Sequence, residues 1–508
     1  MKKSLFLIIL PIFALCACGS TPTPQPEPEP EPQPGPVVPG GEEQTPSGGE
    51  QNPPEGGEQT PDPGPVTPTD PRPDLFLDDD PGYEETIPTL SSFTPTRFSA
   101  NSFSTTKSEN LGEGVRLDTN QFNLNSGKKV VANTLYIDLT KATIKTNYNS
   151  AKATVYQSIQ DFESKNKNQV IGGINADFFG SNSVNAYVKD NQIIKDSHND
   201  NGVYDYTNST SDIPASMPML FGVSGTHSRI GPIVENKTVE QTIKSKFAYK
   251  LKYAGADKVV HDIEASFSLS VASVSNKLVT DYTLITEDIA GGVSPSNGDV
   301  CYVIQMCEDQ HTIKSGKVYQ IMDCNGQRMP ITDTSEGYYY LFKKAAVQEE
   351  LQLDDYIGYL IGNDDTKWDG YTDIIGGRQS LVEDGQIAST VTLENSNGAQ
   401  NTGVPRSCVG INDKHEVVVV AIEGLRYGGH SQADTDPYGV NLPELAEYMR
   451  YIGCYDAMNF DGGGSTQLVV ANNNGAGNFE LRVRSSDYGS YTLNSCRKVY
   501  NTLLVTTK

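Results

Sequence analysis

Nineteen of the chain's 30 prolines fall between Gly19 and Glu85, which confines any hydrophobic core to the residues after them. The same stretch holds 16 acidic residues against a single basic one, Arg72, and so carries −15 of the net −25. Gly-Gly-Glu recurs at Gly40, Gly48 and Gly56. A segment with so little apolar surface cannot offset the entropy of ordering itself. Its Pro-Glu and Pro-Gln pairs favour extended polyproline II, with a reach on the order of 200 Å at about 3.1 Å per residue. Residues 18–85 are therefore expected to be a disordered Pro/Glu/Gly-rich tether.

The residues before the tether look like an export signal. Lys2 and Lys3 precede an apolar run from Leu5 to Leu15, too short to span a bilayer comfortably. The run ends in Leu15-Cys16-Ala17-Cys18-Gly19-Ser20, where a small residue precedes a cysteine as in a lipobox. The expectation is that residues 1–17 are removed as a lipoprotein signal peptide and Cys18 is lipidated. The chain would then be held in a bacterial cell envelope, on the outer membrane facing the periplasm or the surface. An ordinary cleaved secretory signal is the competing reading. The membrane enters only through that anchor.

Residues 86–508 have a globular composition. Val130–Thr140 and Val170–Asn175 read as strands, and Thr154 caps a helix with Val155, Ile159 and Phe162 on one face. Residues 240–370 alternate apolar and polar with little helical period, which predicts a mostly β insertion or subdomain. Lys343–Leu351 reads as a short helix. Glu416–Ile422 is a continuous apolar run suited to a strand buried on both faces. Asn441-Leu442-Pro443-Glu444 is a helix start, with Leu445, Met449 and Ile452 as its buried stripe and Gly453 as its stop. Strands follow at Tyr455–Phe460, around Leu468–Val470, and from Lys498 to Val505. Strands with few helices and no steady βαβ alternation predict an α+β fold around a mixed β-sheet core.

The acidic balance excludes nucleic acid as a partner, because phosphate neutralisation needs clustered Lys and Arg. Beyond Cys16 and Cys18 there are six cysteines, none in CxxC or Cys/His metal spacing. They stand either as disulfides of an oxidising compartment or as buried thiols. Neither a metal nor a cofactor is expected.

Three carboxylates lie just past apolar strands: Asp177, Glu423 and Asp461. Strand ends are where a rigid sheet projects side chains into a cleft, although an Asp beside Gly is often only a turn residue. Asp461-Gly462-Gly463-Gly464-Ser465 is the sharper signal. Three glycines allow close approach of backbone N–H groups to a ligand, as an anion nest. No Lys follows, so this is not a phosphate loop of the Walker kind. Arg406, Arg484 and Arg497 recur near these elements; an arginine can bind phosphate through two parallel hydrogen bonds. For any one of them a solvated surface position is the plainer alternative.

Asn175-Ala-Asp177-Phe-Phe179, Pro405-Arg406-Ser407, Glu423-Gly424, the Asn441 helix, Asn459-Phe-Asp461-Gly-Gly-Gly-Ser465 and Arg497 occur in an order that resembles the phosphodiester glycosidases. The resemblance runs from about Gly112 to Thr507. It implies cleavage of the glycosidic bond of a sugar-1-phosphodiester, giving a free sugar and a phosphomonoester from a carbohydrate phosphodiester substrate. The leaving phosphate is already stable, so electrostatic stabilisation of its oxygens counts for more than strong protonation. On this reading Asp461 and Glu423 stand near the anomeric carbon, with Asp177 a third catalytic candidate. Arg406, Arg497, Gly462, Gly463, Gly464 and Ser465 would hold the phosphate, and Asn175, Asp177 and Asn459 the substrate. Three features depart from the family pattern: Glu423 in place of Asp, a long Arg426–Tyr438 loop carrying His430, and Arg378 after Gly376-Gly377. A phosphodiesterase cutting P–O and a non-catalytic glycan-binding lipoprotein are the alternatives.

Overall fold

In the computed structural model, the residues described are 72–73 and 85–508, except 181–182, 197–218, 236–244, 257–259, 264–280, 287, 308–311, 349, 390, 392–402, 426–435 and 473–476. The expected signal peptide, Cys18, most of the tether and His430 lie outside the described residues. Residues 1–69 form one unit and residues 70–508 another, and the second holds every described strand and helix.

The first half comprises β1 (Ser104–Gly112), β2 (Val115–Asn123), β3 (Lys129–Ile137), β4 (Ala142–Ala153), α1 (Val155–Lys165), β5 (Val170–Asn175), β6 (Tyr187–Lys189), β7 (Gln192–Lys195), β8 (Met219–Ser224) and β9 (His227–Pro232). Next comes a run of strands alone: β10 (Ala248–Ala254), β11 (Val260–Ile263), β12 (Tyr282–Ile285), β13 (Ile289–Val293), β14 (Asn297–Met306), β15 (Lys314–Asn325), β16 (Met329–Ile331), β17 (Tyr338–Lys343) and β18 (Tyr356–Gly362). The last part holds β19 (Asp373–Glu383), β20 (Gln386–Ile387), β21 (Arg406–Asn412), β22 (Val417–Ile422), α2 (Leu442–Tyr451), β23 (Cys454–Asn459), β24 (Leu468–Ala471), β25 (Phe479–Leu481) and β26 (Val499–Thr507).

The large sheet follows the order β1-β2-β3-β22-β21-β23-β19-β6-β7, and a five-stranded sheet follows β25-β24-β5-β26-β4. Between them lies the main core, where Leu135, Val409, Val419 and Met458 meet Ile144, Ile174, Val469 and Leu503. The opposite face of the large sheet is covered by α2, whose Leu445, Tyr448 and Met449 pack with Val418, Val420 and Ile422. Covering on both sides is why Val417–Ile422 reads as one unbroken apolar run. Both helices start at reciprocal caps: Thr154 with Gln157, and Asn441 with Glu444. Gly453 takes the left-handed conformation (φ 96°) that ends α2.

The described residues of 240–370 form a seven-stranded sheet ordered β11-β10-β18-β15-β14-β17-β12, whose core around Tyr302, Ile304, Leu341 and Ile357 is shared with Val188, Ile193 and Leu220 of the large sheet. Two expectations are corrected. The described residues of 343–351 form no helix: Lys343 is the last residue of β17, Ala345–Ala346 make a turn, and Ala345 N donates to Asp299 Oδ1 (3.2 Å). The sheets are not mixed either: every ladder among the described residues is antiparallel. Hairpins and returns across the core do the connecting, so no crossover helices are needed. Cys301, Cys324, Cys408, Cys454 and Cys496 are free, buried thiols, and Cys307 is half-buried. No helix among the described residues is long and apolar enough to cross a membrane.

Candidate active site

Antiparallel pairing brings the start of β21 and the ends of β22 and β23 to one rim. Arg406 lies opposite Ile422, and Cys408 opposite Asn459. Glu423 therefore follows β22, and Phe460-Asp461 follows β23, on the same side of the large sheet. The five-stranded sheet reaches this rim through Asn175, the last residue of β5. Its Oδ1 accepts from Ser407 Oγ (2.7 Å) and Gln467 N (3.0 Å), and its Nδ2 donates to the Asp461 carbonyl (2.7 Å). Asp461 N in turn donates to Ala176 O (2.9 Å). The side chain of Asn175 is thus occupied in fastening Asp461 between the two sheets.

Burial raises the Asp461 carboxyl to a pKa of about 6, the nearby Asp177 charge adding to the effect. The Ser465 hydroxyl, the charge of Arg497 and the Gly462 N–H oppose it. The result is a carboxylate that titrates close to neutral pH, the range suited to general acid–base work. On either side of it, the buried Asn459 Oδ1 and Thr466 Oγ1 have no hydrogen-bond partner, and buried polar atoms of that kind are scarce.

The glycine turn differs from the expected nest. Gly463 N donates to Pro405 O (2.9 Å) and Ser465 N to Gly462 O (3.1 Å), so these two donors serve the chain itself. A Cβ on Gly462 would lie 2.8 Å from Pro405 O, and one on Gly464 would collide with Asp487 and Arg497. Gly463 adopts φ 61°. Close approach explains the glycines, but what approaches is this chain. Arg497 lies against the turn, its Nη1 donating to Ser465 Oγ (3.4 Å) while Nε and Nη2 fork onto Asp487 (2.6 and 2.8 Å).

The other two carboxylates are engaged within the chain. Asp177 is fully buried and accepts from Ser183 Oγ (2.6 Å), Asn185 N (2.8 Å) and Asn185 Nδ2 (2.6 Å), and burial raises its pKa. Glu423 is buried, ion-paired to Arg484 Nε and bonded by Tyr491 Oη (2.8 Å). Arg406 is buried and donates through Nε to Val440 O (3.2 Å). Asn459 Nδ2 donates to Gln379 Oε1 (3.1 Å). The rim thus brings together Asn175, Arg406, Asn459, Asp461, the glycine turn, Ser465 and Arg497. Glu423 joins it through Gly424, whose N–H donates to Arg484 O (3.2 Å).

Sequence reasoning passed over Ser183, Asn185 and Asp487, whose surroundings carry no motif. It gave Arg378 no role, noting only its departure from the family. That residue stands opposite Asn459, with its guanidinium 5.1 Å from the Phe178 ring centre; the oddity of Gly376-Gly377-Arg378 was the available signal. Among the described residues no group of three or more His, Cys, Asp or Glu side chains is placed to hold a metal ion.

Residues 313–506 match the family model for phosphodiester glycosidases. The resemblance read from the sequence holds over that span. It takes in Arg406, Glu423, Asn459–Ser465 and Arg497, and leaves out Asn175 and Asp177. No curated protein sequence matches the chain. Among solved structures, a hypothetical protein from Synechocystis is similar at 14% identity and TM-score 0.42, over 79% of this chain and 64% of that one. A putative exported protein from Burkholderia pseudomallei K96243 is similar at 14% identity and TM-score 0.36, over 75% and 74%. The catalytic domain of the zebrafish N-acetylglucosamine-1-phosphodiester alpha-N-acetylglucosaminidase, auto-inhibited by its pro-peptide, is similar at 10% identity and TM-score 0.35, over 81% and 89%.

Proposed function

We propose that the protein is a hydrolase that cleaves the glycosidic bond of a sugar-1-phosphodiester, releasing a free sugar and a phosphomonoester. The observation that carries this reading is Asp461: a carboxylate raised to about 6, at a rim where two sheets meet, beside Arg497 and the Ser465 hydroxyl. Such a group can take a proton from water attacking the anomeric carbon, or stabilise the positive charge that develops there. Arg497 and Arg406 supply the cationic side that the departing phosphate needs. Asn175 and Asp177 act in this scheme as positioning residues, since their polar atoms are engaged with Asp461, Ser183 and Asn185.

Glu423 is the second carboxylate. Its ion pair with Arg484 and the hydrogen bond from Tyr491 fix it in place, which suits electrostatic support. On the same footing we propose that the chain is exported and held in the bacterial cell envelope by a lipidated Cys18, with residues 19–69 as its tether.

Incubation with a synthetic N-acetylglucosamine-1-phosphodiester, with and without chelator, tests the chemistry. Free sugar plus phosphomonoester, indifferent to chelator, is the expected outcome. Sugar-1-phosphate would point to P–O cleavage, and binding without product to a glycan-binding lipoprotein.

A further inference from the structure

The strand-only region 240–370 has a feature that the candidate active site does not use. On one face of its seven-stranded sheet, β15, β14 and β17 lie side by side, with Gln320, Val303 and Tyr340 in register across them. The register slips by one residue between Val303–Gln320 and Ile304–Val318, so Tyr319 is the extra residue of a β-bulge. A bulge re-aims the side chain it carries. Here Tyr319 stands 60% exposed, and its ring meets that of Tyr338 edge-on at 5.7 Å.

These rings border an open groove of about 540 Å³, within the usual range of small-ligand sites. Val303, Met322 and Tyr340 form part of its lining, and the turn Asn325–Pro330 brings up Gln327 and Arg328. Gln320, Asp323 and Asp333 complete a rim of planar amide, carboxylate and guanidinium groups. Such groups exchange hydrogen bonds with neighbouring hydroxyls, while a tyrosine ring offers an apolar face to C–H groups and a polar edge.

The alternatives fit less well. Beneath the groove β14 is paired on both sides, by β15 and β17, while β15 meets β18 only over Lys314–Lys317, so an extended peptide would find an edge along Tyr319–Asn325 but no edge under the rest of the groove. One arginine against two aspartates gives no cationic surface for phosphate or nucleic acid. A flat apolar-and-hydroxylated ligand matches both the rings and the rim.

We propose that this groove is a binding site for a neutral oligosaccharide, separate from the candidate active site and sharing no residue with it. It would hold glycan while chemistry proceeds elsewhere, and it stands whether or not the chain is a hydrolase.

The test is isothermal titration of the full chain carrying Asp461→Asn, so that no turnover intrudes. The probes are the tetrasaccharides chitotetraose, mannotetraose and maltotetraose. At least one is expected to bind, with affinity falling at least tenfold on adding Tyr319→Ala and returning with Tyr319→Phe. Tyr319 is exposed, so the fold should survive, and melting curves check this. In the otherwise wild-type chain Tyr319→Ala should leave hydrolysis of a small sugar-1-phosphodiester unchanged. The proposal is overturned if none of the three sugars binds, or if binding is indifferent to Tyr319→Ala.

Discussion

The guanidinium of Arg497 is held in a fork by the Asp487 carboxylate, Nε to Oδ2 at 2.6 Å and Nη2 to Oδ1 at 2.8 Å, while Nη1 reaches Ser465. A planar two-pronged donor so placed is pre-aimed at the turn that follows Asp461. Lysine keeps the charge but loses the fork. Arg497→Lys is therefore expected to raise KM for a sugar-1-phosphodiester by about tenfold, the scale of one lost charge-assisted hydrogen bond, with a smaller change in kcat. Steady-state kinetics decide; an unchanged KM removes Arg497 from phosphate recognition.

Asp461→Asn preserves shape and most hydrogen bonds but abolishes the charge. Turnover should fall by about 10²–10⁴-fold with the fold intact. If Asp461 only supports the turn, the change is nearly silent, since Asn serves turns as well as Asp.

The pH dependence of Asp461 has two readouts. In the proposed mechanism its charged form is the active one, so kcat/KM should rise with pH through about 6. Stability runs the other way. A carboxyl raised from 3.8 to about 6 stabilises the fold fully below 3.8 and loses that contribution as pH rises through about 6. Asp461→Asn should therefore melt higher than wild type at pH 8, with the gap closing below pH 4. Melting curves at the two pH values settle the sign.

Glu423 should behave differently because it is half of an ion pair. Removing its charge strips Arg484 of its directly paired carboxylate, leaving the guanidinium 5.1 Å from the Tyr491 ring centre. Breaking a buried pair at one end costs about 3–5 kcal/mol, reduced here because Arg484 is partly exposed. Glu423→Gln is expected to lower the melting temperature clearly while costing less turnover than Asp461→Asn. The reverse ranking would make Glu423 the principal carboxylate.

Local signals were legible and long-range ones were not. Thr154 and Asn441 announce their helices because a cap and its partner three residues on need no tertiary context. The burial of Val417–Ile422 on both faces is written in its composition. Strand direction is not written locally, and the sheets proved antiparallel. Likewise Asp177 and Asp461 both follow strands, yet one is enclosed by Ser183 and Asn185 and the other meets the rim. A strand end says that a carboxylate is held, not what it faces. Asp487 sits in a Ser/Gly-rich stretch with no pattern at all, and only folding reveals it as the partner of Arg497.

Cys18 gives a prediction independent of the fold. Only a thiol at the cleavage junction can take a diacylglycerol, so Cys18→Ser should abolish incorporation of a clickable fatty acid in cells. Undiminished label on the variant would show that the anchor lies elsewhere.

The last prediction concerns where the tether ends. By composition residues 18–85 contribute nothing to a core, yet Arg72 is buried and its Nη1 donates to Ser315 Oγ at 2.9 Å. Ser315 lies in β15 and is itself fully buried, so losing Arg72 leaves a hydroxyl short of a partner. Deleting Thr21–Thr69 should leave the melting temperature unchanged. Extending the deletion to Asp79 should cost about 1.5–3 kcal/mol, the range for a hydrogen bond to a charged group. Arg72→Ala in the full-length chain should reproduce most of that loss. If both deletions melt alike, Arg72 adds nothing and the tether runs to residue 85; if the shorter one already destabilises, residues 21–69 dock onto the domain.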